Sequence, residues 1–178
     1  MPSRWTYLRF CVWVLDDGCR PAIAALMERL GAGYMTRPDG RHAKTSNMNA
    51  ALARRVAAEI SLERPGPMVE LGSGTWALTA MLAARAGQRR LVLVERDPAF
   101  CRRLATRFPE ARVIEGDAAD LPRLLSALPP AAAVVSGLSL YGLVPDLRTR
   151  IVSVAFEASA GDLFVQFSYA PRFPVRDP

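Results

Sequence analysis

Beyond Glu63 the chain alternates short, β-branched apolar runs with longer stretches of helical periodicity. That alternation is how a parallel sheet covered by helices on both faces reads in sequence. The spacing predicts strands over 67–71, 90–95, 111–115, 131–136 and 162–168. Between them it predicts helices over 76–87, 98–108, 120–128 and 145–158. Asp97-Pro98 supplies an N-cap and a first-turn proline for the second of these helices. The apolar stretch 131–144 is interrupted by Ser136, Gly137, Ser139 and Gly142, and reads as a buried strand running into a loop. Upstream, Ile23, Leu26, Met27 and Leu30 recur at helical spacing before Gly31 and Gly33, and Leu52, Val56 and Ile60 stripe a second helix. The polar, basic stretch 36–49, with Pro38, Asp39-Gly40 and the only histidine, His42, reads as a loop.

At 178 residues the chain is one domain's worth. It divides into an extension, 1–49, and an α/β domain, 50–178. Hydrophobic residues at 51% and charged residues at 22% are a globular balance. The net charge is +6, of which residues 1–60 hold +4, with nine basic and five acidic side chains. A phosphate-bearing substrate, a nucleic acid or a membrane surface would each suit that sign. Cys11, Cys19 and Cys101 are odd in number and lack paired C-x-x-C spacing, so neither a disulfide framework nor a zinc site is expected, and a reducing cytoplasm fits. The apolar run 10–15 ends at Asp16-Asp17, short of a signal peptide or a membrane span.

Chemistry concentrates at the strand ends. Met68-Val69-Glu70-Leu71-Gly72-Ser73-Gly74-Thr75 is a strand that ends in an acid and turns through two glycines into a helix. Such a turn lets backbone approach a ligand closely and offers it the free N–H groups of a helix start. Glu95, twenty-one residues beyond Gly74, ends the second strand, where an acid accepts from two ribose hydroxyls in nucleotide-binding α/β folds. Asp117 follows the third strand in Glu115-Gly116-Asp117-Ala118, within reach of an adenine edge. Three acids at successive strand ends suit a ligand with an amine, a sugar and a base, and would repel a pyrophosphate. Taken singly, the acids also read as solvated strand ends and the glycines as turn residues.

In combination these residues resemble the class I S-adenosylmethionine-dependent methyltransferases, with a Rossmann-like sheet. The resemblance implies that Glu70, Gly72, Ser73 and Gly74 hold the methionine end of the cofactor. It places the ribose on Glu95 beside Arg96, the adenine on Asp117 with Ala118, and Ser136 next to the methyl donor; no metal is implied. The runs Glu-Leu-Gly-Ser-Gly-Thr, Leu-Val-Leu-Val-Glu-Arg-Asp-Pro, Glu-Gly-Asp-Ala, Val134-Val135-Ser136-Gly137-Leu138 and Val165-Gln166-Phe167-Ser168-Tyr169-Ala170-Pro171 are similar to those of the bacterial phospholipid N-methyltransferases. That family methylates phosphatidylethanolamine stepwise toward phosphatidylcholine and is distantly related to ribosomal RNA adenine dimethylases. The likeness spans about residues 50–176. Trp76 stands where the family has a third glycine, which would set an indole against the methionine site. Ser139 replaces a proline and Ala170 a glycine. The sequence ends after the fifth predicted strand, where the fold ordinarily adds a helix and two strands, so the C-terminal strands are expected short or missing.

On the acceptor side, an alkylammonium titrates around 10 and must lose its proton before it can attack a methyl group. Ser136, Tyr141, Tyr169 and His42 are the candidates for that pocket, and Arg172 is a candidate for the lipid phosphate through its fork of donors. Alternatively, Ser136 satisfies a strand end, Tyr141 packs a loop, and His42 is a solvated surface residue. Arg54, Arg55, Arg148 and Arg150 read as solvated helix faces. Five of the fourteen aromatics, Trp5, Tyr7, Phe10, Trp13 and Tyr34, lie among Arg4, Arg9, Arg20 and Arg29. Residues 1–34 therefore read as an interfacial element for an anionic membrane surface, or as a helix packed on the domain. The expectation is a cytoplasmic enzyme, peripheral to the inner face of the membrane, taking a phospholipid headgroup and no specific nucleic acid. Methylation of RNA adenine and non-catalytic binding of the cofactor are the competing readings.

Overall fold

The computed structural model describes residues 35–36, 42–43, 50–58, 60–74, 76–159 and 163–166. A two-strand antiparallel pair, β1 (Met35–Thr36) and β2 (His42–Ala43), precedes helix α1 (Ala50–Ala58). The main sheet is built from β3 (Met68–Leu71), β4 (Leu91–Glu95), β5 (Arg112–Glu115), β6 (Ala133–Ser136) and β7 (Phe164–Gln166). Helices α2 (Ala77–Ala86), α3 (Pro98–Arg107), α4 (Leu121–Leu124) and α5 (Pro145–Ala158) connect them. The strand order is β5-β4-β3-β6-β7 and every pairing in it is parallel.

β3, β4 and β6 are central and carry buried, mostly apolar residues on both faces, because helices cover both. One layer packs Val56, Ile60, Leu82, Leu104 and Phe108 of the α1–α3 side against the sheet. The other packs Leu121, Leu140, Ile151, Val152 and Ala155. The chain builds outward from β3 to β4 and β5, then returns to the other side of β3 with β6 and β7. β3 and β6 therefore flank the point where the strand order reverses, and a crevice outside the carboxyl ends of the strands is the usual ligand site of such a sheet.

Several connections differ from the sequence reading. His42–Ala43 pairs with Met35–Thr36, so the stretch expected as a loop contains a strand pairing. The helix expected over 120–128 is only Leu121–Leu124, preceded by a 3-10 turn at Ala118–Asp120 that the Asp117 side chain caps. Arg150 is exposed, as a solvated helix face expects, but it is also tied down: its Nε donates to the Ala119 carbonyl and its Nη2 reaches Asp120 Oδ1 at 3.3 Å. Arg148 likewise donates to the Leu143 carbonyl. The amphipathic helix expected at Ile23–Leu30 lies outside the described residues.

Candidate active site

Glu70 points to the α2 side of the sheet and is 1% exposed, in a parallel ladder between Leu93 and Val135. Burial pushes its carboxyl up to about 7 and the charge of Glu95 adds to the rise, while the Thr79 and Ser73 hydroxyls nearby pull it partly back. Neither hydroxyl meets hydrogen-bond geometry. Glu70 Oε2, Ser73 Oγ and Thr79 Oγ1 are all buried without a partner. Buried polar groups are rarely left unmade, so three together beside a glycine turn are open to a ligand with donors or to bound water.

The turn itself is open to such a ligand. Gly72 and Gly74 have φ of +70° and +42°, a region that suits glycine. A Cβ on Gly72 would collide with the Leu138 side chain. The Gly72 N–H donates to the Val94 carbonyl and the Gly137 N–H to the Leu71 carbonyl, so the turns after β3 and β6 are stitched to their neighbours.

Glu95 stands at the rim, and its carboxylate is held from both sides. Oε1 accepts from the Arg96 and Asp97 N–H groups at 2.8 and 3.0 Å, and Oε2 lies 3.5 Å from the Gly74 N–H. Beneath it, Cys101 donates its S–H to the Glu95 carbonyl. Burial and the charges of Glu95, Glu115 and Asp97 push this thiol up to about 11, which keeps it neutral. Asp117 uses Oδ1 to accept from the Ala119 N–H at 2.9 Å, and its Oδ2 lies 3.7 Å from Arg96 Nη1. Ala118 is buried beside it.

Ser136 is fully buried and its hydroxyl accepts from the Leu138 N–H at 3.3 Å. Tyr141 lies in the 3-10 turn Leu140–Gly142 that follows, with its side chain outside the described residues. His42 is in β2, paired with Thr36, and its side chain too is outside them. Tyr169 and Arg172 lie wholly outside the described residues, as does 1–34. The structure thus gathers Glu70, Gly72, Ser73, Gly74, Glu95, Arg96, Asp117, Ala118 and Ser136 along the carboxyl ends of four adjacent strands.

Trp76 does not crowd the turn with its indole. The ring packs against the α1–α3 core layer, and Arg107 lies over it at 5.3 Å from the centroid. Its backbone takes φ +56°, the left-handed conformation that a glycine would adopt there. Two groups escaped the sequence reading. Thr79 is a fully buried threonine in a helix that is otherwise apolar but for Arg85, which is the one signal that could have found it. Gln166 donates to the Leu138 carbonyl at 3.0 Å from 28 residues away, a contact no local pattern announces.

The fold has counterparts in known proteins. The chain superposes on Streptomyces venezuelae DesVI with a TM-score of 0.50 at 21% identity, covering 84% of this chain and 53% of that one. It superposes on the sugar N-methyltransferase KedS8 from Streptoalloteichus sp ATCC 53650 with a TM-score of 0.50 at 16% identity, covering 76% and 48%. Residues 47–121 match the ribosomal RNA adenine dimethylase family. The chain has the Rossmann-like α/β fold of these neighbours, and its residues 47–121 are similar to the ribosomal RNA adenine dimethylases. The domain is also 34% identical over 115 residues to the ornithine lipid N-methyltransferase of Singulisphaera acidiphila, spanning 61% of this chain and 60% of that relative.

The residues of this domain fit S-adenosylmethionine as its cofactor. Glu70 with Ser73 and Thr79 offers unpartnered acceptors for an ammonium. Glu95 would offer ribose hydroxyls an oriented carboxylate, and Asp117 Oδ2, which makes only the long contact to Arg96, would be the acceptor for an exocyclic amine. Among the described residues no group of three His, Cys, Asp or Glu could hold a metal ion.

Proposed function

We propose that this domain transfers a methyl group from S-adenosylmethionine to the amine of a phospholipid headgroup, phosphatidylethanolamine on the way to phosphatidylcholine. Bound in the cleft, the cofactor supplies a methyl group on an already activated sulfonium. The protein's own work is then to align the amine in line with that group and to let it shed its proton.

The observation that carries this reading is the segment after β6. Ser136-Gly137-Leu138 packs directly over Gly72 and leads through Leu140 and Leu143 to Val144, which is 66% exposed. Val144 is the one exposed large apolar side chain of this segment, and an acceptor that brings acyl chains with it would cover it. The lipid substrate in the name of the Singulisphaera relative supports the same class of acceptor. Ser136, Tyr141, Tyr169 and His42 are proposed for the amine pocket, and Arg172 for the lipid phosphate.

A second reading, methylation of RNA adenine, is favoured by the family match. That match stops at residue 121, within the cofactor half, and does not reach the turn after β6. It therefore bears on the cofactor more than on the acceptor, and the segment after β6 lacks the Asn/Asp-Pro-Pro-Tyr/Phe type of sequence that would stack on a flipped base.

The test supplies labelled cofactor with phosphatidylethanolamine vesicles, ornithine-lipid vesicles or unmodified ribosomal RNA. Label on the lipid amine is the expected result. Label on RNA adenine replaces this reading with the second, and no label anywhere despite cofactor binding makes the domain a non-catalytic binder.

We further propose that the protein works in the cytoplasm at the inner face of the membrane, with residues 1–34 as the interfacial element. Among the described residues no helix is long and apolar enough to cross a membrane. Near-surface cations contribute about 1 kcal/mol each and are screened beyond a Debye length of about 8 Å at physiological salt. Deleting residues 1–20 should then reduce turnover on anionic vesicles far more than on a water-soluble, short-chain phosphatidylethanolamine. Full activity on vesicles after the deletion would contradict the membrane role.

A further inference from the structure

We infer that Gln166 is a positioning residue for the acceptor side of the cleft, acting through Leu138; the inference rests on the methyl-transfer reading for its functional consequence. Gln166 closes β7 in register with Ser136 of β6. Its Nε2 donates to the Leu138 carbonyl at 3.0 Å. The Leu138 N–H donates to Ser136 Oγ, so this one residue is gripped at its N–H by β6 and at its carbonyl by β7. Its side chain fills the space a Cβ on Gly72 would need. Gly137, between the two grips, sits so close that a Cβ there would stand 3.0 Å from the Gly72 carbonyl oxygen.

Leu138 is therefore the wall between the glycine turn and the acceptor segment, and the turn that carries it has contacts to three strands. Leu138 meets Gly72 by shape alone, while its neighbour Gly137 is bonded through its N–H to the Leu71 carbonyl. The Leu138 carbonyl accepts from the Leu140 N–H within the turn and from Gln166 across it, so the Gln166 amide is the bond that ties Leu138 itself to β7 and sets how far its backbone stands back from the glycine turn. An in-line displacement tolerates little error of this kind, since a misplacement of about 1 Å can cost on the order of a hundredfold in rate. Gln166 bonds to the Leu138 carbonyl from β7, on the far side of β6 from the glycine turn, so its loss should leave cofactor binding in place.

The test compares Gln166→Leu, which keeps volume and removes the donor, with Gln166→Glu, which keeps shape and faces a carbonyl with an acceptor. Amide hydrogen exchange by NMR reads the turn directly. Exchange at Leu138 should quicken about tenfold or more in both variants while the amides of β3 stay as protected as before, and affinity for S-adenosylhomocysteine by calorimetry should stay within about threefold. On the acceptor methylated by the parent, kcat should fall at least about tenfold with KM for the cofactor unchanged. Unchanged exchange at Leu138, exchange quickened throughout the sheet, or cofactor affinity falling in step with kcat would each overturn the inference. If Gln166→Leu fails to fold, Gln166→Glu decides alone. Should the parent methylate none of the acceptors, the methyl-transfer reading fails, and the exchange measurement still decides whether Gln166 holds the turn.

Discussion

Glu95 and Gly74 face each other across the mouth of the cleft, with the carboxylate Oε2 of one 3.5 Å from the N–H of the other. The second oxygen is fixed by two backbone N–H groups of its own strand end, so the carboxylate is oriented before any ligand arrives. Glu95→Ala should therefore cost the two charge-assisted hydrogen bonds to the ribose, each contributing about 1.5–3 kcal/mol, or at least about a hundredfold in affinity. Folding should survive, because the side chain lies at the rim. Titration with S-adenosylhomocysteine by calorimetry checks this, and parental affinity would remove Glu95 from the site.

Glu70 makes stability depend on pH with an unusual sign. Its folded carboxyl titrates at about 7, above the ordinary 4.5, so between those values the folded state holds a proton that the unfolded state has lost. The contribution is complete below about pH 4.5 and disappears as pH rises through 7, a total of about 3 kcal/mol. Glu70→Gln should lose this slope. Urea unfolding of both proteins at pH 5 and pH 8 measures it, and parallel pH profiles would mean that Glu70 is solvated.

The same group would couple protons to a cofactor whose ammonium lies against it. An ammonium placed against Glu70 stabilises the carboxylate, so binding near pH 7 should release protons and tighten as pH rises from 6 to 8. Calorimetry in buffers of different ionisation enthalpy reports that release. A flat affinity profile would separate Glu70 from the ligand's amine.

Trp76 sets up a reversal of the ordinary helix ranking. Glycine relieves its left-handed backbone by about 1–2 kcal/mol, whereas alanine relieves none of it, and both lose the same half-buried indole and its contact with Arg107. Trp76→Gly should therefore be more stable than Trp76→Ala by about 1 kcal/mol, although alanine is ordinarily the better helix residue by about that amount. Thermal unfolding of the pair decides, and the usual order would show that the backbone relaxes out of the left-handed region.

The sheet was legible because its central strands are apolar on both faces, and runs such as Leu91–Val94 cannot be mistaken for an amphipathic surface. Helix α3 was legible from its cap alone: Asp97 Oδ1 accepts from the Ala99 N–H at 2.8 Å and Pro98 opens the helix. The short β1–β2 pairing was not, since two residues per strand are too few for any periodicity. Nor was the early end of α4, where the backbone leaves the helix at Leu125, ahead of Pro129-Pro130. In the cleft, the acids could be found from their spacing after strands, whereas the burial of Glu70 could not. A glutamate near a strand end reads as solvated until α2 is known to bring Thr79 over it. The grip of Gln166 on Leu138 is invisible for the same reason, being made by sheet order rather than by neighbours in sequence.

A crystal structure of the domain with S-adenosylhomocysteine bound tests the central claim most directly. The account predicts the amino group of the ligand against Glu70, Ser73 and Thr79, the ribose hydroxyls on Glu95, and the adenine edge at Asp117. Its sulfur should face the turn formed by Ser136, Gly137 and Leu138. A ligand lying elsewhere on the domain, or reversed so that adenine meets Glu70, would contradict it.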